Sequence, residues 1–270
     1  MFSADNMVNY ILANEEPVAL QKAIDALKNK DVFLVGFSGK KGSGKDTMAE
    51  IFKESFEHDF GAASFAPFGD PLKGEATAII SFIQSYLATD IDLRPAEFFM
   101  LQRMSELFDL PFEDARALYD IIMPEVEASN SRFDGWTRTR AVWKVLRMLG
   151  TDIRQPQDKI YWVRRSVHNI IVNANNGIST IVQDTRFLHE VKALKDMGAY
   201  VARVDIEPEV QVKRLMARDN VEVTPDALTH ASEVELDEYP DFDIRVNNSV
   251  DGAQVELGAV IYNDWLKTAK

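Results

Sequence analysis

The chain has 270 residues, 46% of them hydrophobic, enough for a sizeable core in one α/β domain with insertions or at most two domains, and too many for a disordered chain. It holds no cysteine, which excludes disulfides and thiolate-bound metal; with no long apolar run and no leading basic-then-apolar segment, a soluble cytoplasmic protein without a membrane partner is expected. A net charge of −13 sets any nucleic-acid polymer against overall repulsion, whereas a small phosphorylated ligand needs only a few local cations.

Residues 1–30 read as a helical extension. Met7, Val8, Ile11 and Leu12 mark one short helix and Val18, Ala19, Ile24 and Leu27 a second, with a break near Pro17. These helices either pack on the sheet or form a subunit interface, as in a homodimer. The remainder, 31–270, reads as one domain. The apolar run Val32–Phe37 predicts a strand buried on both faces, followed at once by a glycine-rich turn and by helical spacing from Thr47 to Phe56. A short strand at Ala62–Phe65 follows, and Asp70-Pro71 opens a helix through Leu87.

Helical stretches at Ala96–Phe108 and Pro111–Ile122 lie within a helical insertion, 88–135. Thr137–Leu149 and Tyr161–Ala174 also have helical spacing, and the polar segment Gly150–Asp158 between them reads as turn-prone. The second half alternates strand Ser179–Gln183, helix Leu188–Met197, strand Tyr200–Asp205, helix Pro208–Ala217, strand Phe242–Val246 and helix Gly252–Leu266. This order predicts an α/β fold with three layers around a parallel five-stranded sheet. The acidic, apolar-poor segment 218–241 reads as a lid, with Thr224-Pro225 capping a short helix inside it.

The turn Gly39-Lys40-Lys41-Gly42-Ser43-Gly44-Lys45-Asp46-Thr47 has the composition of a phosphate-binding loop. Phosphate oxygens need several inward-pointing donors, which backbone N–H groups at a helix N-terminus supply. Gly39, Gly42 and Gly44 clear the approach, Lys45 brings a full charge to the β and γ phosphates of ATP, and Thr47 offers a hydroxyl to Mg²⁺. The general pattern has Ser or Thr directly after the lysine; here Asp46 stands there. An ordinary glycine-rich turn is the alternative, but strand, glycines, lysine, hydroxyl and helix agree against it.

Gly-Lys-Asp-Thr at 44–47 resembles the loop of the deoxynucleoside monophosphate kinases of tailed bacteriophages. Three further segments resemble that family: Phe65-Ala66-Pro67-Phe68 with Pro71-Leu72-Lys73; Leu149-Gly150-Thr151-Asp152 followed by Trp162-Val163; and Asp184-Thr185-Arg186-Phe187 with Glu190. His230-Ala231-Ser232-Glu233 and Asn247 are similar too. The likeness runs from about residue 32 onward, leaving the N-terminal helices and 88–135 outside it. It implies a P-loop kinase fold and transfer of the ATP γ-phosphoryl group to a nucleoside monophosphate, in the cytoplasm, or the host cytoplasm for a phage-encoded chain.

On this resemblance the catalytic set is Lys45, Asp46, Asp184, Arg186, Arg214 and Arg218, and the acceptor is bound by Phe68, Lys73, Arg147, Thr151, Asp152, Trp162, Arg186 and Glu190. The loop residues, Ser43 included, take ATP, and Thr47 with Asp184 takes Mg²⁺, through water at Asp184. Each residue also has a plainer reading. Lys73, Arg147 and Arg186 suit a phosphate but also a surface ion pair. Asp184, at the carboxyl end of a strand, suits a ligand site but also a helix N-cap. Glu190 suits the helix dipole, Arg214 and Arg218 suit solvated pairs with nearby acids, and Phe68 and Trp162 suit the core. Rival functions are another P-loop kinase acting on dephospho-coenzyme A or a phosphorylated alcohol, and an ATP-binding module without turnover.

Overall fold

The structure, a computed structural model, describes residues 20–28, 31–87, 93–128, 140–219 and 228–269. They fall into two compact units, one taking in Gly69–Trp162 and the other Val18–Phe68 with Val163–Lys270. The strands are β1 Leu34–Gly39, β2 Ala63–Phe65, β3 Ser179–Thr185, β4 Tyr200–Asp205 and β5 Ile244–Asn247. The helices are α1 Leu20–Lys28, α2 Lys45–Phe60, α3 Gly69–Leu87, α4 Leu93–Phe108, α5 Phe112–Ala128, α6 Arg140–Arg147, α7 Tyr161–Asn175, α8 Leu188–Asp196, α9 Pro208–Asp219, α10 Ala231–Val234 and α11 Gln254–Thr268. The first predicted N-terminal helix and the Thr224-Pro225 cap lie outside the described residues.

All five strands are parallel and belong to the second unit, in the order β2-β3-β1-β4-β5. β1 is buried along its whole length, as its apolar run requires. Val35 and Phe37 face a core built from Met48, Phe52 and Phe56 of α2 and Ile261, Tyr262 and Trp265 of α11. Edge-to-face contacts such as Phe37–Phe52 and Phe52–Trp265 knit that layer together. The opposite face is covered by α8, so close at Gly36 that a Cβ there would stand 2.7 Å from Leu194 Cδ1. The result is the expected three-layer α/β fold.

From β1 the chain turns to one side to reach β2, and from β3 to the other side to reach β4. The carboxyl ends of adjacent β1 and β3 are therefore a topological switch point, where open α/β sheets keep a crevice for ligands. The register slips within this pair: Gly36 pairs with Val182 but Ser38 with Thr185, so β3 carries one more residue than β1. β3 thus continues past the predicted end at Gln183 and carries Asp184 inside the strand. β1 begins two residues later than predicted and runs on into Gly39.

The unit Gly69–Trp162 is helical, with a core that includes Ile79, Ile83, Met104, Leu118, Ile122 and Val145. Two expectations are corrected in it. α5 passes through Pro124 to Ala128, because Val126 is drawn into the core beyond the proline. Gly150–Asp158 is not a turn: a π-helical stretch Met148–Arg154 and a further helical turn Gln155–Gln157 continue α6. Local turn chemistry yields here to burial of Leu149, Ile153 and Arg154. The Arg154 guanidinium, 3% exposed, holds Glu75 Oε1 at 2.6 Å and also donates to the carbonyls of Phe108 and Asp109.

Candidate active site

The phosphate loop grows directly out of β1. Gly42 and Gly44 adopt φ of 81° and 84°, a left-handed conformation that side-chain-bearing residues resist. Gly39 is needed for space, since a Cβ there would lie 2.5 Å from Ser43 Oγ and 2.7 Å from the Val204 carbonyl. The Ser43 N–H donates to the Lys40 carbonyl at 3.1 Å, closing the turn, and α2 starts at Lys45. Ser43 Oγ is buried without a partner among the described residues, as a hydroxyl kept for a bound anion would be.

The Lys45 side chain is only 5% exposed and reaches Asp46 at 3.2 Å, while Asp46 and Thr47 are exposed. Burial lowers the Lys45 pKa, and the Arg186 charge lowers it further against the pull of Asp46 and Asp184. Two cations and a helix N-terminus thus meet where phosphate is expected. At the end of β3, Asp184 Oδ1 accepts the Phe68 N–H at 2.7 Å, so its helix-cap alternative is taken by another residue. That residue is Glu190, whose Oε2 accepts the N–H groups of Arg186 at 2.6 Å and Phe187 at 3.0 Å. Burial, then the nearby Asp184 charge, pushes the Glu190 carboxyl up to about 8.

Arg186 donates from Nη1 to Glu233 Oε1 at 2.6 Å. Arg214, on α9, donates to the Asn248 carbonyl at 2.8 Å and to Asp251 at 3.2 Å, and Arg218 is exposed on the same helix. Phe68 is buried. Lys73, Arg147, Thr151, Asp152 and Trp162 belong to the helical unit. There Lys73 pairs with Asp70 at 3.0 Å, Arg147 ends α6 exposed, Thr151 and Asp152 lie on the π-helical stretch, and Trp162 is buried with its indole N–H on the Gly150 carbonyl.

Several residues that hold the loop were not singled out from the sequence. Asn248 Nδ2 donates to the Ser43 carbonyl at 2.7 Å and stands 2.5 Å from where a Cβ on Gly44 would be. Gln211 donates to the Lys41 carbonyl at 2.9 Å, and Glu233 Oε2 accepts the Lys41 N–H at 2.8 Å. Asp237 takes Lys40 at 2.7 Å and the buried Arg203 at 2.9 Å. The only sequence signal for any of them was Glu233 at the end of the His230–Glu233 segment, with no role attached.

Among the described residues no three His, Asp or Glu side chains gather into a metal cage. The oxygen donors near the loop, the Thr47 hydroxyl and the Asp184 carboxylate, suit a hard cation that keeps most of its water and phosphate ligands. No described helix is long and apolar enough to cross a membrane.

Residues 88–217 match the family model described as deoxynucleotide monophosphate kinase. The match takes in 88–135, which the sequence reading had set outside the resemblance, so the helices α4 and α5 lie within the family's span. The phosphate loop and the segment 228–241 lie outside the matched stretch and rest on their own geometry. No curated protein matches the chain.

Proposed function

We propose, for a chain that matches the deoxynucleotide monophosphate kinase family, that it transfers the γ-phosphoryl group of ATP to a deoxynucleoside 5′-monophosphate, giving ADP and a deoxynucleoside diphosphate. The observation that carries the reading is the buried Lys45 at the floor of a left-handed glycine loop, within the field of Arg186, at the β1–β3 switch point. A phosphate oxygen of the acceptor attacks the γ-phosphorus, the bond to the bridging β oxygen breaks, and the electron pair leaves with ADP. A monophosphate is largely dianionic near neutral pH, so the attack needs no general base. The residues are asked for positioning and for charge.

In this reading the loop amides of Gly42 to Thr47 hold the donor phosphates, Lys45 neutralises the charge that spreads over the moving group, and Asp46 orients Lys45. Arg186, Lys73 and Arg147 take the acceptor phosphate, and Thr151, Asp152 and Glu190 orient the nucleotide. Phe68 and Trp162, each buried in its own unit, are the aromatic residues proposed to favour the base. Arg214 and Arg218 add positive charge from α9, and the part of the lid-like segment 218–241 seated on the loop through Glu233 and Asp237 helps exclude water. Thr47, and Asp184 through water, would hold Mg²⁺, which would further neutralise the phosphates. Such a reaction belongs in a cytoplasm that holds ATP.

The test is ADP formation from ATP with a panel of deoxynucleoside and ribonucleoside monophosphates, dephospho-coenzyme A and phosphorylated alcohols. Turnover with deoxynucleoside monophosphates is expected; turnover confined to the non-nucleotide acceptors would overturn the reading. Lys45→Ala should lose several orders of magnitude in kcat, the scale on which transition-state charge is removed.

A further inference from the structure

We infer that Glu233 is a positioning residue for this transfer: it sets the Arg186 guanidinium against the phosphate loop by holding both at once. The inference rests on the kinase reading above. A carboxylate with only 5% of its side chain exposed must be paired to remain charged, and Glu233 divides its two oxygens between two structures. Oε1 binds Arg186 Nη1 at 2.6 Å, a short charge-assisted contact. Oε2 binds the Lys41 N–H at 2.8 Å and Gln211 Nε2 at 3.3 Å. Because Gln211 also donates to the Lys41 carbonyl, that one peptide of the loop is gripped on both sides.

Glu233 is itself held in place. It sits on α10, whose start is capped by His230 Nδ1 accepting the Ser232 N–H at 3.2 Å. Just beyond, Glu235 accepts the Leu188 N–H at 3.1 Å, and Asp237 bridges Lys40 and Arg203. Arg186 needs such a hold, since Lys45 repels it and its side chain extends from the turn after β3. Glu233 does not stand in for the phosphate. Its loop contact is at Lys41, on the outer bend, whereas an anion is drawn to the amides at the start of α2.

Glu233→Gln separates the two tasks, because Arg186 and Lys41 face different carboxylate oxygens, and the amide can turn its carbonyl oxygen to only one of them while its NH2, a donor, confronts the other. The expected result is a fall in kcat of about a hundredfold with KM for ATP within about threefold, the signature of a misplaced group in the transition state. In an Arg186→Lys background, which keeps the charge but loses the fork, the same substitution should cost less than about threefold more. Binding of a fluorescent ATP analogue and circular dichroism establish that each variant is folded. Should the glutamine variant fail to fold, Glu233→Asp, which keeps the charge at a shorter reach, is read in the same cycle. Losses that multiply in the double variant, or a tighter KM for ATP at unchanged kcat, would overturn the inference while leaving the kinase reading intact. A wild type that phosphorylates no monophosphate overturns both.

Discussion

Asn248 and Gly44 act as a pair: the amide that ties down the Ser43 carbonyl occupies the space that any side chain at position 44 would need. Asn248→Ala should weaken ATP binding by about 1–3 kcal/mol, the scale of a lost buried hydrogen bond, read as the Kd of a fluorescent ATP analogue. An unchanged Kd would remove Asn248 from the site. Glu190 gives a second handle. Its carboxyl titrates at about 8 in the folded protein against 4.5 as its ordinary value. Between these values the folded state holds a proton that the unfolded state has released, so this contribution to stability is complete below 4.5 and lost as pH rises through 8. Urea melts should therefore lose stability from about pH 5 to pH 8, and Glu190→Gln should flatten that slope; an unaltered slope would assign it to other groups. Lys45, Asp184 and Arg186 were legible in the sequence because each stands in a compact local pattern. Asn248 and Glu233 were not, because the loop atoms they bind lie 205 and 192 residues away along the chain.

At the scale of elements, strands and helices were readable wherever burial and local propensity agree, and β4 starts and ends where the apolar pattern places it. The reading failed at 150–158, where Gly150, Asp152, Pro156 and Asp158 all favour a turn. What overrides them is the Arg154 side chain, which spans from Glu75 on α3 to the carbonyls ending α4 and lies over the Tyr161 ring at 5.2 Å. No local pattern announces a buried ion pair whose partners are 79 residues apart. Arg154→Ala leaves Glu75 buried and uncompensated, and should cost about 3–5 kcal/mol in chemical denaturation. Replacing both partners with apolar residues of similar volume should cost much less. Equal losses in the two variants would show that the guanidinium's hydrogen bonds to the Phe108 and Asp109 carbonyls, which both variants lack, and not a stranded Glu75 charge, set the geometry of the π-helical stretch.

Over the whole molecule the charge of −13 is not spread as a uniform solvated coat. Glu233, Glu235 and Asp237 are spent on Arg186, the Leu188 amide, Lys40 and Arg203, so the acidic segment is fastened to the cationic rim of the loop. With these cations engaged, a nucleic-acid polymer meets mainly repulsion. A labelled DNA duplex should show no change in anisotropy with the protein at about 0.15 M salt. Binding there would require a basic face elsewhere on the chain. The five-stranded architecture was legible because alternation of strand and helix constrains topology more strongly than any one residue does.

The strand order also sets a timetable. β1 emerges from the ribosome early, yet both of its neighbours in the sheet, β3 and β4, are encoded far downstream. The Phe33 N–H meets its Ser179 partner across 146 residues, which at about 5–20 residues per second is a wait of roughly 7–30 s. Through that interval a mostly apolar strand and the glycine loop behind it have no neighbours to pair with, a state in which nascent chains aggregate. No pair of the sheet can form until β3 is made, and β1 is flanked on both sides only once β4 follows, so chaperone supply during synthesis should govern the yield of active protein more than final stability does.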